Sequence, residues 1–336
     1  AARAKRCFNP LRWHWRKTGT EVRPKGERRC HEEHATDAAS IRLEGYGSEN
    51  AALDHAFRVI DAAQPPKARH RGRLVACAAS ELPPGEKRIV DDPVTGLSIG
   101  ALARDAGNAT MAYYDGIDVV GLREKEDRSP VTLADEVAHD ILVQGLRRID
   151  PATPVVSEEA EAASFETRRR WNRFWLVDPL DGTKEFIKRR AEFTVNVALI
   201  EDGQPVFGVV LAPALGLLYW AVKGEGAWRE ENGGPPQRIY SRTLPPGTPL
   251  TVVESLSHPS AELEEYLKTI PVGRRVKAGS SLKFCWVAEG RADVYPRLGP
   301  TMEWDVAAGD CIYRQSGREG ERPSPLTYNK PDLRNT

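Results

Sequence analysis

The chain of 336 residues lacks several features that would assign it to a class at once. Its five cysteines are scattered and form no Cys-x-x-Cys pair, which argues against a zinc site and against a disulfide framework. No apolar run approaches the length of about 18 residues that a membrane-spanning helix needs. The first residues contain no apolar core typical of a secretory signal. These absences predict a cytoplasmic protein with reduced thiols and no transmembrane segment, although peripheral membrane association and the oligomeric state stay open.

An excess of charge of one sign is also missing, because 48 Lys and Arg residues balance 48 Asp and Glu residues. Proteins that bind nucleic acid normally carry a basic excess, so the balance argues against a nucleic-acid partner. The charge is unevenly distributed, with ten basic and two acidic residues among residues 1–30. That region shows neither a helical nor a strand period. We therefore predict that residues 1–95 form an irregular, basic extension outside the fold.

From about residue 97 onward the apolar residues recur with regular periods. Helices and strands mix without strict alternation, which favours an α/β sandwich of alternating helix and sheet layers over a TIM barrel or a doubly wound sheet. We expect two lobes, residues 96–245 with the metal-binding motifs and residues 246–336. The helices are predicted at 98–114, 134–148, 261–269 and 281–288, and the strands at 154–156, 174–177, 193–200, 206–211, 217–222, 250–253, 275–277 and 292–295.

The most informative segment is residues 178–183, Asp-Pro-Leu-Asp-Gly-Thr. Two carboxylates three residues apart follow an apolar strand and precede a short predicted helix, residues 184–189. Hard divalent cations bind such oxygen ligands, and the backbone N–H groups at a helix start bind anions. A metal cluster beside an anion site is what the hydrolysis of a phosphate ester requires.

Further acids stand near the ends of other predicted elements, namely Asp135, Glu158 and Asp305. Each has an ordinary explanation by itself. Asp135 suits the positive end of a helix, Glu158 suits an exposed loop, and Asp305 suits a helix cap. Together with Asp178 and Asp181, they favour a metal site, because so many negative charges close together are costly without cations.

These motifs resemble the inositol monophosphatase superfamily over about residues 97–312. The matching strings are residues 129–135, 157–159, 175–186 and 303–309. Within that superfamily, residues 184–186 (Lys-Glu-Phe) and 279–285 are similar to the 3′(2′),5′-bisphosphate nucleotidases of the bacterial CysQ type. The resemblance implies a Mg²⁺-dependent hydrolysis of adenosine 3′,5′-bisphosphate to AMP and phosphate, a reaction of sulfur assimilation. Inositol monophosphatase or fructose 1,6-bisphosphatase activity is the alternative.

The resemblance also implies roles for individual residues. Two or three magnesium ions would be bound by the carboxylates and by one backbone carbonyl, those of Glu158, Asp178, Leu180, Asp181 and Asp305. Catalysis, through activation and orientation of the attacking water, would fall to Asp135, Thr183 and Glu158. The nucleotide bisphosphate, a small-molecule partner, would contact Gly182, Thr183, His258, Ser280, Lys283 and Asp305.

The C-terminal end departs from the family pattern. After Gly309 the family continues an apolar helix, whereas residues 310–322 of this chain include six charged residues and two glycines. Family-like sequence resumes at residues 326–335. We therefore predict an altered, truncated end, which keeps open a further alternative, an inactive or unstable product that binds nucleotide or nothing. Loss of a helix face and an edge strand would cost several kcal/mol, comparable with the stability of a whole domain.

Overall fold

The computed structural model describes residues 93–114, 123–124, 130–257 and 260–335. The predicted extension, residues 1–95, therefore lies almost wholly outside the described residues. The helices are α1 (Pro93–Tyr114), α2 (Leu133–Ile149), α3 (Phe165–Arg168), α4 (Thr183–Ile187), α5 (Ala261–Leu267), α6 (Leu282–Ala288) and α7 (Glu303–Arg314). The strands are β1 (Arg123–Glu124), β2 (Pro130–Val131), β3 (Val155–Ser157), β4 (Arg173–Asp181), β5 (Thr194–Glu201), β6 (Gln204–Ala212), β7 (Leu217–Val222), β8 (Gly226–Glu231), β9 (Gln237–Ile239), β10 (Leu250–Ser255), β11 (Val272–Ala278), β12 (Thr301–Met302) and β13 (Arg334–Asn335).

Seven strands form one sheet in the order β3-β4-β5-β6-β7-β8-β9. Strands β3 and β4 run parallel, and every later neighbour is antiparallel. The predicted meander of residues 193–222 is confirmed as β5, β6 and β7. Strand β4 is longer than the predicted strand 174–177. Its register against β5 shifts between Asp178 and Asp181, so both acids belong to an irregular strand end rather than to the turn that follows.

Both faces of this sheet are covered by helices. Along β4, Phe174 and Leu176 face one core, which includes residues of α6 and α7, while Trp175 and Val177 face the other, which includes residues of α1 and α2. Alternation of this kind follows from the period of two along a strand. The layers are therefore helix, sheet and helix, and the predicted layered α/β sandwich is confirmed.

Helix α7 lies close against the middle of the sheet. A Cβ atom at Gly208 on β6 would lie only 2.7 Å from the carbonyl oxygen of Ala308 on α7. Only glycine leaves enough room for the backbone of the helix at this point. The close approach fixes the position of the first turn of α7, which carries Asp305.

A second, two-stranded parallel sheet pairs β10 with β11, and α5 connects the two strands. Its own small core contains Val252, Leu263 and Leu267. The predicted strand 292–295 is reduced to one bridge between Val294 and Val252. The predicted lobe boundary at residue 245 falls in the connection between β9 and β10, and the division into two lobes stays a prediction.

The charged stretch after Gly309 continues the helix as far as Arg314. Buried Asp310 accepts a hydrogen bond from the Arg314 guanidinium (2.8 Å) and another from the Tyr328 hydroxyl (2.8 Å). Strand β13 then pairs with β12, and Leu333 is buried in the core. The polar residues are compatible with a buried helix because they are paired with one another, which their order in the sequence does not reveal.

No helix among the described residues is both long and apolar enough to cross a membrane.

Candidate active site

Three carboxylates from separate elements converge. Glu158 directly follows β3, Asp178 lies on β4, and Asp305 lies in the first turn of α7. One carboxylate oxygen of each lies within 4.8 Å of the others. Parallel pairing of β3 with β4 brings the first two together, and the backbone N–H of Glu158 donates to the carbonyl of Val177 (3.1 Å). The convergence joins residues 147 positions apart in the chain.

The environment of Asp178 and Asp305 disfavours their charged forms. Burial raises the pKa of Asp178 well above its usual value, and the charges of Glu158, Asp181 and Asp305 raise it further. Burial is also the main reason why the pKa of Asp305 rises to about 8, with Asp181 the largest of the neighbouring charges. Carboxylates held together in this way are repulsive unless a cation lies among them. The donors are all oxygen, which suits a hard divalent cation such as Mg²⁺.

Asp181 and Leu180 complete the β4 end of the site. Burial raises the pKa of Asp181, while the nearby ammonium of Lys283 lowers it. The hydroxyl of Ser281 lies 3.2 Å from Asp181 Oδ2 and donates to the backbone oxygen of Asp305 (2.6 Å). The side chain of Leu180 is buried, and its backbone oxygen lies close to the Thr183 hydroxyl. Ser281 therefore links the end of β4 to the start of α7.

A threonine and an aspartate form a second feature beside the acids. The hydroxyl of Thr183 donates to Asp135 Oδ1 (3.2 Å) and also lies 3.3 Å from the carbonyl oxygen of Leu180. The other oxygen of Asp135 accepts from the backbone N–H (2.8 Å) and the hydroxyl (2.6 Å) of Thr132, the N-cap of α2. Asp135 thus lies in the first turn of its helix, as its ordinary explanation predicted, and also faces Thr183. Asp305 has the corresponding position in α7, where its carboxylate accepts a hydrogen bond from the backbone N–H of the N-cap residue Met302 (2.8 Å).

A turn between β11 and α6 forms the opposite side of the site. Ser280, at a φ of 51°, donates from its hydroxyl to the backbone oxygen of Asp181 (2.7 Å) and also lies 3.0 Å from the backbone oxygen of Glu192. Burial lowers the pKa of the Lys283 ammonium, and the charges of Asp181, Glu185 and Glu192 oppose that shift. The ammonium donates to the backbone oxygen of Ser280 (2.5 Å).

These groups line one cleft with a volume of about 270 Å³. Every predicted site residue lines it except two. Asp135 lies one hydrogen bond behind Thr183, and His258 lies outside the described residues. The predicted residues on the cleft wall are Glu158, Asp178, Leu180, Asp181, Gly182, Thr183, Ser280, Lys283 and Asp305.

Sequence reasoning missed several residues of the cleft wall. Phe284 and Tyr295 line it with their rings packed edge to face, 5.3 Å between centroids. Arg297 adds a second cation beside Lys283. Phe284 follows a predicted site lysine directly and could have been suggested by that position. Tyr295 ends the predicted strand 292–295 and Arg297 lies two residues beyond it, and neither belongs to a motif that indicates a site.

A layered sandwich of this kind is shared with known proteins. The family model described as "Inositol monophosphatase family" matches residues 91–325. The 3′(2′),5′-bisphosphate nucleotidase CysQ of Salmonella typhimurium is 52% identical over 216 residues, 64% of this chain and 85% of that protein. The corresponding protein of Escherichia coli K12 is 50% identical over 229 residues, 68% of this chain and 91% of that protein.

Solved structures agree with this likeness. The crystal structure of CysQ from Bacteroides thetaiotaomicron superposes with a TM-score of 0.60 at 38% identity, covering 72% of this chain and 94% of that one. A Thermotoga maritima IMPase superposes with a TM-score of 0.54 at 27% identity, covering 66% and 82%. Fold, site and similarity place the protein in one class of layered α/β enzymes. The chain belongs to the inositol monophosphatase family.

Proposed function

We propose that the protein is a Mg²⁺-dependent phosphomonoesterase that hydrolyses adenosine 3′,5′-bisphosphate to AMP and phosphate. The convergence of Glu158, Asp178 and Asp305 in a cleft beside the Thr183–Asp135 pair is the observation that carries the proposal. About half of the residues aligned with proteins named 3′(2′),5′-bisphosphate nucleotidase CysQ are identical, and this similarity supports the substrate.

The residues present fit a metal cluster of two or three ions. Burial and mutual repulsion of the acids would be offset by divalent cations, and all donors are oxygen atoms. A bound magnesium would supply charge stabilisation and a more acidic water. The oxygen ligands would come from the side chains of Glu158, Asp178, Asp181 and Asp305 and from the carbonyl of Leu180.

Thr183 and Asp135 are suited to orienting the attacking water. Because the Thr183 hydroxyl donates a hydrogen bond to Asp135, its oxygen is left to accept a hydrogen bond from the water. The water oxygen forms the new bond to phosphorus, and the bond from phosphorus to the 3′ oxygen breaks. The water proton moves toward the Thr183–Asp135 pair, and the leaving oxygen takes a proton from solvent.

The cationic wall of the cleft suits the rest of the substrate. Lys283 and Arg297 both line the cleft, and a nucleotide bisphosphate carries a second phosphate that would attract them. Backbone N–H groups at Gly182 and Thr183, at the start of α4, would contact the transferred phosphate. Ser280 and Lys283 would contact the nucleotide.

The test is phosphate release from adenosine 3′,5′-bisphosphate with and without Mg²⁺, by wild type and by Asp181→Asn. We expect release that depends on Mg²⁺ and is lost in the variant. Asp202→Asn is the matched control, because Asp202 lies exposed in the β5–β6 turn at a φ of 49°, which asparagine readily adopts. Folded wild type that hydrolyses inositol monophosphate or fructose 1,6-bisphosphate instead would overturn the substrate assignment. Wild type that binds the nucleotide but hydrolyses none of these esters would overturn the assignment as an enzyme.

A further inference from the structure

Glu185 is a buried carboxylate in the cleft wall that the proposed mechanism does not use. It is only 4% exposed, yet it lines the cleft two residues after Thr183. A buried carboxylate is costly unless it is well paired, so its contacts require an explanation.

The side chain of Glu185 lies between its own turn, which begins at Gly182, and two segments distant in the chain, those of Ser257 and Gly279. Its Oε1 accepts a hydrogen bond from the hydroxyl of Ser257, two residues after β10 ends. Its Oε2 lies 3.4 Å from the place where Gly182 would carry a Cβ atom. Its Cγ lies 3.2 Å from the corresponding place at Gly279, which begins the β11–α6 turn. The carboxylate and its stem therefore fill the space where these three segments meet.

Two of these segments carry parts of the proposed site, and in the third Ser255, two residues before Ser257, lines the cleft. The Gly182 turn holds the side on which phosphate is transferred, and the turn after Gly279 carries Ser280 and Lys283. Glu185 is also one of the carboxylates that favour the protonated ammonium of Lys283. The metal cluster lies on other elements, directly after β3, on β4 and at the start of α7.

We propose that Glu185 is a positioning residue that holds the nucleotide side of the cleft, Ser257 and the turn 279–283, against the Gly182 turn. This inference rests on the proposed function and deepens it. It makes one residue responsible for the position of the transferred phosphate relative to the rest of the nucleotide. Its loss therefore weakens recognition of the nucleotide more than it slows the chemical step.

The test compares Glu185→Gln with wild type in steady-state hydrolysis of adenosine 3′,5′-bisphosphate. Glutamine keeps the shape but removes the charge. We expect KM to rise about tenfold, the cost of one charge-assisted contact, and kcat to stay within about twofold. Glu289→Gln is the matched control, because Glu289 is also largely buried and accepts from a hydroxyl, that of Tyr219 (3.0 Å), but does not line the cleft.

A second readout separates positioning from general damage to the site. The rise in melting temperature on adding Mg²⁺ is expected to be the same in Glu185→Gln, Glu289→Gln and wild type. A variant with unchanged KM and lowered kcat, or with a lost Mg²⁺ response, overturns the inference, as does a variant with unchanged kinetics. Ser257→Ala removes the same hydrogen bond by deleting its donor, and it replaces Glu185→Gln in the test if that variant does not fold. An increase in KM is expected for Ser257→Ala too, and an unchanged KM overturns the inference.

The failure of the inference and that of the proposed function have different signatures. Wild type that neither binds adenosine 3′,5′-bisphosphate in calorimetry nor hydrolyses it refutes the proposed function, and the inference with it. Wild type that turns over this substrate, with Glu185→Gln equal to it in KM, refutes the inference alone.

Discussion

The carboxylates of the acid cluster are expected to destabilise the folded protein without metal and to bind Mg²⁺ when it is present. Asp305 is the best residue at which to test this. Asparagine at this position keeps the size of the side chain, and its amide oxygen can still accept from the backbone N–H of Met302, so the helix cap survives. What changes is the charge. We expect Asp305→Asn to stabilise the protein when divalent cations are absent and to abolish the stabilisation that Mg²⁺ provides.

The magnitude follows from the pKa of Asp305. Burial and neighbouring charges raise it from 3.8 to about 8. Because the pKa is higher in the folded protein than in the unfolded chain, ionisation opposes folding. The cost is absent below about pH 4, grows as the pH rises and is complete near pH 8. At pH 7 the difference of about three units corresponds to an upper limit on the order of 4 kcal/mol.

The assay is urea denaturation at pH 5 and pH 7.5, in EDTA and in millimolar Mg²⁺. In EDTA, wild type should lose stability between pH 5 and pH 7.5, and Asp305→Asn should lose less, so that the variant is the more stable protein at pH 7.5. In Mg²⁺ the order should reverse, since a cation bound only to the folded state stabilises it by mass action.

The outcome that would refute this reasoning is also definite. If Asp305→Asn is less stable than wild type in EDTA at pH 7.5, the carboxylate contributes favourable contacts that outweigh repulsion. If the variant keeps the full response to Mg²⁺, Asp305 is not a ligand. Asp202→Asn, exposed and remote from the cluster, is the control and should follow wild type throughout.

Other predictions concern the water-orienting pair and the packing of α7. Thr183→Val removes the hydroxyl that donates to the aspartate of α2, and we expect kcat to fall about 100-fold with an unchanged Mg²⁺-induced shift in melting temperature. Tyr328→Phe leaves Asp310 without one hydrogen bond and should lower the free energy of unfolding by about 1–3 kcal/mol in urea denaturation, with little change in kcat. Gly208→Ala places a Cβ atom against the carbonyl of Ala308; it should cost about 1–3 kcal/mol and, unlike Tyr328→Phe, should also lower kcat by displacing the first turn of α7.

The layered architecture could be predicted from the sequence because the spacing of apolar residues, which distinguishes helices from strands, is a local property. The alternation along β5 and the helical spacing in α2 appear in adjacent residues, and the structure confirms both elements. The end of β4 was harder to predict. Its register shift between Asp178 and Asp181 depends on pairing with β5, and pairing is not encoded in the segment itself.

In the candidate site, too, some residues could be predicted from the sequence and others could not. Residue type and spacing indicated the chemistry of the segment 178–183, and position near predicted element ends indicated the remaining acids. The family resemblance, now confirmed, implied their roles. Tyr295 and Arg297 were missed because the sequence does not show which cleft the end of a short predicted strand faces. The roles of the individual residues stay predictions that the variants above would test.

The sequence by itself determined which atoms are available, oxygen donors in the β4 segment and a Gly-Thr start to α4, since these depend on neighbours in the chain. Only the tertiary structure decided that Glu158, Asp178 and Asp305 meet within 4.8 Å, and that Glu185 reaches Ser257. Those contacts join residues dozens of positions apart, and they form because the helices and strands between them must bury their apolar faces in common cores.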